Sequence, residues 1–324
     1  MSDRTKYQAG AGRLLAEAAM PAEEKAKPAP LVSTTLEEFL ARDLPPRPML
    51  VDPIIPAAGL AMLFAPRGVG KTHVSLGIGY ALASGASFLR WMVREPKRVL
   101  FIDGEMPGAA LQERLAYIVA STTKRPPAPD YLRIITPDLQ DDPMPDLSSE
   151  QGQAAVAPYV DRADLVILDN LSTLCRGGKE NEAESWLPVQ AWALGLRRAG
   201  RSVLFVHHAG KGGQQRGTSR REDVLDTVIA LRRPDDYEPQ QGARFEVHLE
   251  KARGIAGDEA QPFEATLTVR GGVADWTTMI LEDAKAKRVL DLHAEGLSIR
   301  DIAKETGLSK STVARMVKRE KLRG

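Results

Sequence analysis

A chain of 324 residues, 43% hydrophobic and 27% charged, is long and apolar enough for a large folded domain with an appendage, which excludes a wholly disordered protein. No apolar run reaches the ~18 residues needed to cross a bilayer, and the single cysteine, Cys175, excludes an internal disulfide framework. The net charge of +1 conceals an asymmetry, because eleven basic residues stand against five acidic ones between Lys285 and Gly324. A basic tail on an acidic body suggests a polyanion partner for the tail, although a solvated helix surface has the same charge. The first twenty residues lack the basic-then-apolar layout of a secretion signal. The expected location is therefore the cytoplasm, with no membrane partner.

In chain order, residues 1–44 read as a mobile N-terminal arm, rich in Ala, Glu, Lys and Pro over its first thirty positions. LPPRPML (44–50) is a proline-stiffened entry to the core. Short apolar runs follow at 59–65, 98–103, 131–136, 164–169 and 202–208, separated by helical stretches at 71–84, 109–119, 151–161 and 183–199. This alternation predicts an α/β fold with a mostly parallel sheet covered on both faces. Beyond residue 208 the pattern alternates more, and the runs at 223–233, 243–253, 262–270 and 272–278 predict strands that extend the sheet antiparallel. The last two read as a hairpin around Gly271-Gly272. The body thus spans 45–280, and a small all-α domain spans 281–324. Cys175 has no assignable role, and Trp186 and Trp192 read as packing residues.

Residues 63–72, LFAPRGVGKT, end as a phosphate-binding loop ends. The run from Pro66 through Arg67, Gly68, Val69, Gly70, Lys71 and Thr72 to His73 lies between an apolar strand and a helix. There, converging backbone N–H groups and the positive helix end favour phosphate. Lys71 would reach the β- and γ-phosphates of ATP, and the Thr72 hydroxyl would hold Mg²⁺. Ala65 stands where the usual pattern begins with glycine, a position at the strand exit that tolerates a small residue. LVILDN (165–170) delivers Asp169 to the same edge as a support for Mg²⁺, and its neighbour Asn170 leaves no Asp-Glu pair to supply a base. FIDGEMP (101–107) brings Glu105 there, a carboxylate able to polarise water, although such a residue alone is more often a solvated turn.

A phosphate loop, a glutamate after the next strand and a lone aspartate after a later one resemble the RecA-like ATPase core. GEMP after an apolar strand is similar to replicative helicases of the DnaB type, and FVHHAGKGG (205–213) is closest to the hexameric plasmid helicase RepA and its ATPase relatives. The resemblance covers roughly residues 45–280 piecewise. It implies Glu105 as catalytic glutamate, Asp169 as the Mg²⁺-supporting aspartate and His208, rather than His207, as sensor of the γ-phosphate. LEKARG (249–254) is similar to a Lys-x-Arg-x-Gly motif offered to the neighbouring subunit's nucleotide. Lys251 and Arg253 would then stabilise transition-state charge in trans, which implies a homo-oligomer, a hexameric ring by resemblance. A pair of exposed strand-end cations is the plainer reading of both.

The loop 211–222, KGGQQRGTSRRE, offers Lys211, Arg216, Arg220 and Arg221. In RecA-like motors the corresponding loop touches nucleic-acid backbone, here single-stranded DNA. A surface loop without a partner would have the same composition, and Arg216 has a rival role as a further trans cation. The tail predicts a helix-turn-helix, with a supporting helix over 281–293, a helix over 298–305, a turn at 306–309 and a second helix from Lys310. Ile299, Ile302, Ala303, Leu308, Val313 and Val317 line one side at helical spacing. Ser309 would cap the last helix, leaving Lys310, Ser311, Thr312 and Arg315 to face a duplex major groove. A helical oligomerisation cap would look alike.

The reading that joins these features is an oligomeric DNA-dependent ATPase of the replicative-helicase kind. An ATP-switched DNA-binding regulator or loader, a recombinase-like filament protein and, last, a small-molecule kinase remain open as alternatives.

Overall fold

The computed structural model describes residues 31–177, 183–209 and 223–321. The first thirty residues of the expected arm and the loop 211–222, with Lys211, Arg216, Arg220 and Arg221, lie outside them. The chain divides into two compact units, Met1–Pro46 and Arg47–Gly324. In the first, helix α1 (Leu36–Leu40) is held by a capping box that the sequence pattern TLEE already contains. The Glu38 N–H donates to the Thr35 hydroxyl at 3.2 Å, and the Thr35 N–H donates to the Glu38 carboxylate at 2.9 Å. Its Leu36, Phe39 and Leu40 are exposed.

The second unit opens with a short antiparallel pair, β1 (Met49–Val51) and β2 (Ile55–Pro56). The Arg47 guanidinium in the proline-stiffened entry anchors it, pairing with the buried Asp226 carboxylate at 2.9 Å. Strand and helix then alternate through β3 (Leu60–Ala65), α2 (Lys71–Ser84), β4 (Val99–Asp103), α3 (Gly108–Ala120), β5 (Leu132–Ile135), α4 (Glu150–Val160), β6 (Leu165–Asp169), α5 (Leu171–Leu174), α6 (Ala183–Arg198) and β7 (Ser202–His208). Next come β8 (Thr227–Arg232), β9 (Arg244–Ala252), β10 (Phe263–Arg270) and β11 (Val273–Ile280), and three terminal helices follow.

One nine-stranded sheet holds the unit together, in the order β11-β10-β9-β8-β3-β7-β6-β4-β5. All strand contacts from β8 to β5 are parallel, and β8 through β11 pair antiparallel. The expected mixed α/β sheet is what the structure shows, with one refinement. The run at 223–233 reduces to Thr227–Arg232, and this strand joins the parallel set beside β3 instead of beginning the antiparallel extension. The reason is burial on both faces, since five of its six residues are buried and only Arg232 is exposed.

Alternation sorts the strands into two cores. Ala61, Leu63 and Ala65 of β3 join α2, Phe101, Ile167, Leu204 and Ile229 on one face. Leu60, Met62 and Phe64 join Val166, Phe205, Val228 and the helices α4 and α6 on the other. Trp186 is buried there, edge-on to Phe205 with ring centroids 5.2 Å apart, and the partly buried Trp192 packs alongside. Gly271 and Gly272 close the β10–β11 hairpin, both at positive φ, as a two-residue turn of that twist requires.

The terminal helices are α7 (Leu281–Ala294), α8 (Ile299–Thr306) and α9 (Lys310–Lys321). Their core is Val289, Leu292, Ile302, Val313 and Val317, with Leu297, Ala303, Leu308 and Met316 against it. The expected apolar side is thus correct except at Ile299. That residue is 38% exposed, because it begins the helix just after the Ser298 cap and ahead of the turn that packs. Gly307 ends α8 at φ 68° and supplies the sharp crossing.

Packing of α2 against the segment that follows it depends on a missing side chain. A Cβ at Gly77 would fall 2.2 Å from the Phe88 ring, which is itself held against Trp91 and Trp276. Gly77→Val is expected to destabilise the fold by about 1–3 kcal/mol, read as an earlier denaturant midpoint with an unchanged slope.

Candidate functional site

The parallel register brings the chemistry to one edge. Ala65 of β3 lies opposite His208 of β7, Asp169 of β6 opposite Val206 of β7, and Asp103 of β4 opposite Asp169. Lys71, Thr72, Asp103, Glu105, Asp169 and His208 therefore share one cleft at the carboxyl ends of the strands, with a volume of about 630 Å³.

Ala65 is fully buried within the strand, and its carbonyl accepts from the Ala209 N–H at 2.9 Å. A methyl group is accommodated there, so the departure from glycine leaves the loop intact. The positive φ values fall further on, at Gly68 (76°) and Gly70 (130°), where L side chains are strained. Val69 turns into the core at 1% exposure and does not line the cleft. Pro66 and Arg67 are exposed, and Arg67 and His73 line the cleft.

Lys71 is 6% exposed, and its ammonium donates to the Ala65 and Pro66 carbonyls at 3.0 and 3.1 Å. Burial pulls its pKa down to about 8, against the opposing pull of Asp169 and Glu105. The Asp169 carboxylate accepts from the Ser75 hydroxyl at 2.8 Å, with the Thr72 hydroxyl adjoining. Burial raises its pKa, and these hydroxyls and Lys71 pull the other way. Carboxylate and hydroxyl oxygens at a phosphate loop suit a hard cation. Among the described residues no group of three or more His, Cys, Asp or Glu could hold a metal ion by itself.

Glu105 reaches the cleft mouth on the turn after β4. Its Oε2 accepts a hydrogen bond from the Asn170 amide and lies 3.6 Å from His208 Nε2. Burial, and next the charge of Lys71, push the His208 pKa down, which favours a neutral imidazole at the end of β7. Burial, with Arg114 adding to it, likewise takes His73 to about 4.

Lys251 and Arg253 lie elsewhere. Ala252 pairs with Thr227, which pairs with Ala61, so these cations sit at the opening end of the parallel strands. That is about 13 Å back along β3 from Ala65. Both side chains donate to the Asp223 carbonyl, at 3.4 and 3.0 Å. They do not line this chain's own cleft.

The cleft contains residues that the sequence reading passed over. Asp103 ends β4 as Asp169 ends β6, and that strand-end position was the available signal. It is 2% exposed and accepts the Met106 and Glu105 N–H groups at 2.9 and 3.3 Å, so it shapes the turn that carries Glu105. Arg114, on α3, lines the cleft beside the two aspartates. From the far wall, Arg233 donates to the Gly68 carbonyl at 2.7 Å and stacks 3.5 Å over the Tyr237 ring.

A family model described as an AAA domain matches residues 25–214, more than half of the chain. The chain belongs to this family. A second model, described as a homeodomain-like domain, matches residues 281–324. This AAA-domain chain is therefore a P-loop ATPase-type protein with a DNA-binding helix-turn-helix at its C-terminal side. That conclusion is coarser than the replicative-helicase resemblance. No helix among the described residues is long and apolar enough to cross a membrane.

In the helix-turn-helix, Ser309 caps α9 as expected, accepting from the Thr312 N–H at 3.1 Å. Lys310, Ser311 and Arg315 are exposed, and the Ser311 and Thr312 hydroxyls each lie 2.8 Å from that of Ser309. The cap thus engages two of the four residues expected to face the groove.

Asp103 also yields a stability prediction. Burial raises its pKa from 3.8 to about 6, so the native state binds its proton more tightly than the unfolded chain does. Its penalty is absent below about pH 4 and fully present above about pH 6. Asp103→Asn is expected to gain stability over the parent by up to about 3 kcal/mol as pH rises through that window. Paired denaturation curves at the two ends of the window, without nucleotide, measure this.

Proposed function

We propose that the chain is a DNA-dependent ATPase that hydrolyses Mg²⁺-ATP at subunit interfaces of a homo-oligomeric, hexameric ring. Acting as a replicative-type helicase, it moves on single-stranded DNA. The observation that carries the reading is the Glu105 carboxylate, which bonds to Asn170 and lies 3.6 Å from His208 in the cleft with Lys71, Thr72 and Asp169.

Each residue has a role that its chemistry supports. The loop from Pro66 to His73 binds the phosphates, with Lys71 charged in their presence because an anion raises the pKa that burial lowers. Thr72 and Asp169 would hold Mg²⁺, which supplies neutralisation of phosphate charge when bound. Glu105 accepts the proton of the attacking water. Neutral His208 can donate to a γ-phosphate oxygen or turn to Glu105, and it leads into the loop 211–222. In this reading Lys211, Arg216, Arg220 and Arg221 follow the backbone of single-stranded DNA. Lys251 and Arg253, remote from their own cleft, serve the neighbouring subunit's nucleotide. Lys310, Ser311, Thr312 and Arg315 address duplex DNA.

A second reading has a specific observation behind it. The helix-turn-helix is bonded to the segment that follows β8, through an ion pair of 3.2 Å between Arg288 and Asp236. ATP could therefore switch duplex binding without translocation.

Steady-state hydrolysis across a range of protein concentrations, with and without single-stranded DNA, separates the two. Glu105→Gln is expected to lower kcat by roughly 10²–10⁴-fold with little change in KM. Lys71→Ala should abolish turnover, and Arg253→Ala should do so only if neighbours supply the cation. Concentration-dependent, DNA-stimulated turnover lost in Arg253→Ala supports the ring motor. Slow, DNA-indifferent turnover that persists in Arg253→Ala overturns it in favour of the switch.

The buried lysine adds a pH dependence. With its pKa near 8 in the free protein, Lys71 loses charge as pH rises through that value. The apparent affinity for ATP is expected to fall above about pH 8 and to stay flatter in Lys71→Arg, whose guanidinium does not titrate there. Nucleotide titrations at a series of pH values check both.

A further inference from the structure

The stretch from Arg233 to Glu246 touches both halves of the ATPase and DNA-binding apparatus. At its start, the Arg233 guanidinium donates to the Gly68 carbonyl at 2.7 Å, where the phosphate loop turns at φ 76°. Its other arm donates to the Gly242 carbonyl at 3.2 Å, which also accepts the Tyr237 hydroxyl at 3.0 Å. The far end of the segment is thereby folded back onto its start.

Only Pro234, buried and with φ restricted by its ring, separates Arg233 from the residues that meet the helix-turn-helix. The Asp236 carboxylate binds Arg288 of α7 at 3.2 Å and Arg244 at 3.1 Å. Arg288 extends on to Glu305 of α8 at 2.8 Å, and Lys285 of α7 lies 3.9 Å from Glu246. Asp235 approaches the recognition turn so closely that a Cβ at Gly307 would fall 2.8 Å from its carboxylate.

We infer that Arg233 is a positioning residue for the phosphate loop, and that the segment behind it links nucleotide binding to duplex binding at the helix-turn-helix. The inference rests on the reading of the cleft as an ATP site and of α9 as a duplex-binding helix. Its physical basis is preorganisation. The loop N–H groups converge on phosphate only when the turn at Gly68 is held, and holding it before the ligand arrives removes an ordering cost. A duplex that stiffens α8, the Gly307 turn and α9 restrains Asp235 and Asp236, and through Pro234 it restrains Arg233. By reciprocity, nucleotide then favours the duplex by the same factor.

The test is equilibrium binding of a fluorescent ATP analogue, with and without a saturating short duplex of mixed sequence, to the full chain. Wild type is expected to bind the analogue roughly threefold or more tightly with the duplex present. Arg233→Ala should bind it more weakly and lose the duplex effect. Arg288→Ala is the deciding variant, because it lies outside the cleft and breaks only partly exposed ion pairs. It should keep its fold and analogue binding without DNA yet lose the duplex effect, and Arg288→Lys should restore part of it. An unchanged duplex effect in Arg288→Ala and Arg233→Ala overturns the linkage, as does a wild type whose affinity the duplex does not alter. Analogue binding that survives in Lys71→Ala instead defeats the reading of the cleft itself, and the inference with it.

Discussion

The register of β3 between β7 and β8 is the constraint on which the site depends. A parallel strand buried on both faces has no freedom to slip by one residue, because a slip would exchange the contents of the two cores. Leu60, Met62 and Phe64 are committed to one face and Ala61, Leu63 and Ala65 to the other. The strand's exit is thereby fixed, and with it the start of the phosphate loop. The same argument applied to β4, β6 and β7 brings Asp103, Asp169 and His208 level with that exit. The grouping of these side chains is thus a consequence of core packing rather than of contacts among themselves.

The electrostatic state of the cleft follows from the same burial. Carrying Lys71 and Asp169 to the carboxyl edge of the fully buried central strands β3, β6 and β7 desolvates both, which pushes the lysine down and the aspartate up toward their neutral forms. Neither shift helps the fold, and an anion with its cation would reverse both. The site is therefore built at some expense in stability for a ligand that restores the missing charges, the general condition of a pre-formed charged site. Glu105 differs, because its side chain is 56% exposed at the mouth. Solvent access leaves it free to meet water, while Asp103 holds its backbone from below.

Much of this was legible in sequence because period and punctuation carry it. Helix α2 coincides with the expected 71–84, β7 with 202–208, and the Gly271-Gly272 turn with the hairpin. The Ser309 cap was likewise readable. What escaped was set by pairing between distant segments. Nothing local tells that β8 joins β3 in parallel, and the strand looks like its antiparallel successors until its second face is seen to be covered. Arg233 reads as one of many surface arginines in LRRPDDY, and only the parallel pairing of β8 with β3 delivers it to Gly68. Asp103 stands in plain view in FIDGEMP, but only the folded turn shows its carboxylate accepting the Glu105 and Met106 N–H groups. Ile299 fitted the helical period yet precedes the packed turn, so periodicity placed it on a face that the fold leaves open.

The position of Lys251 and Arg253 bears on assembly. Antiparallel pairing of β9 with β8 sends the chain back toward the opening end of the parallel strands, so whatever ends β9 is delivered opposite the phosphate edge. A cation there cannot serve its own cleft without dismantling the sheet, whatever the loop conformations. It can serve a nucleotide only if another copy presents its cleft to that edge, a head-to-tail arrangement that generates rings when it closes and filaments when it does not. The sheet topology therefore ties the catalytic meaning of these two residues to oligomerisation. If they stabilise transition-state charge, the monomer is an incomplete enzyme. If the monomer proves complete, they are strand-end cations held by the Asp223 carbonyl and no more.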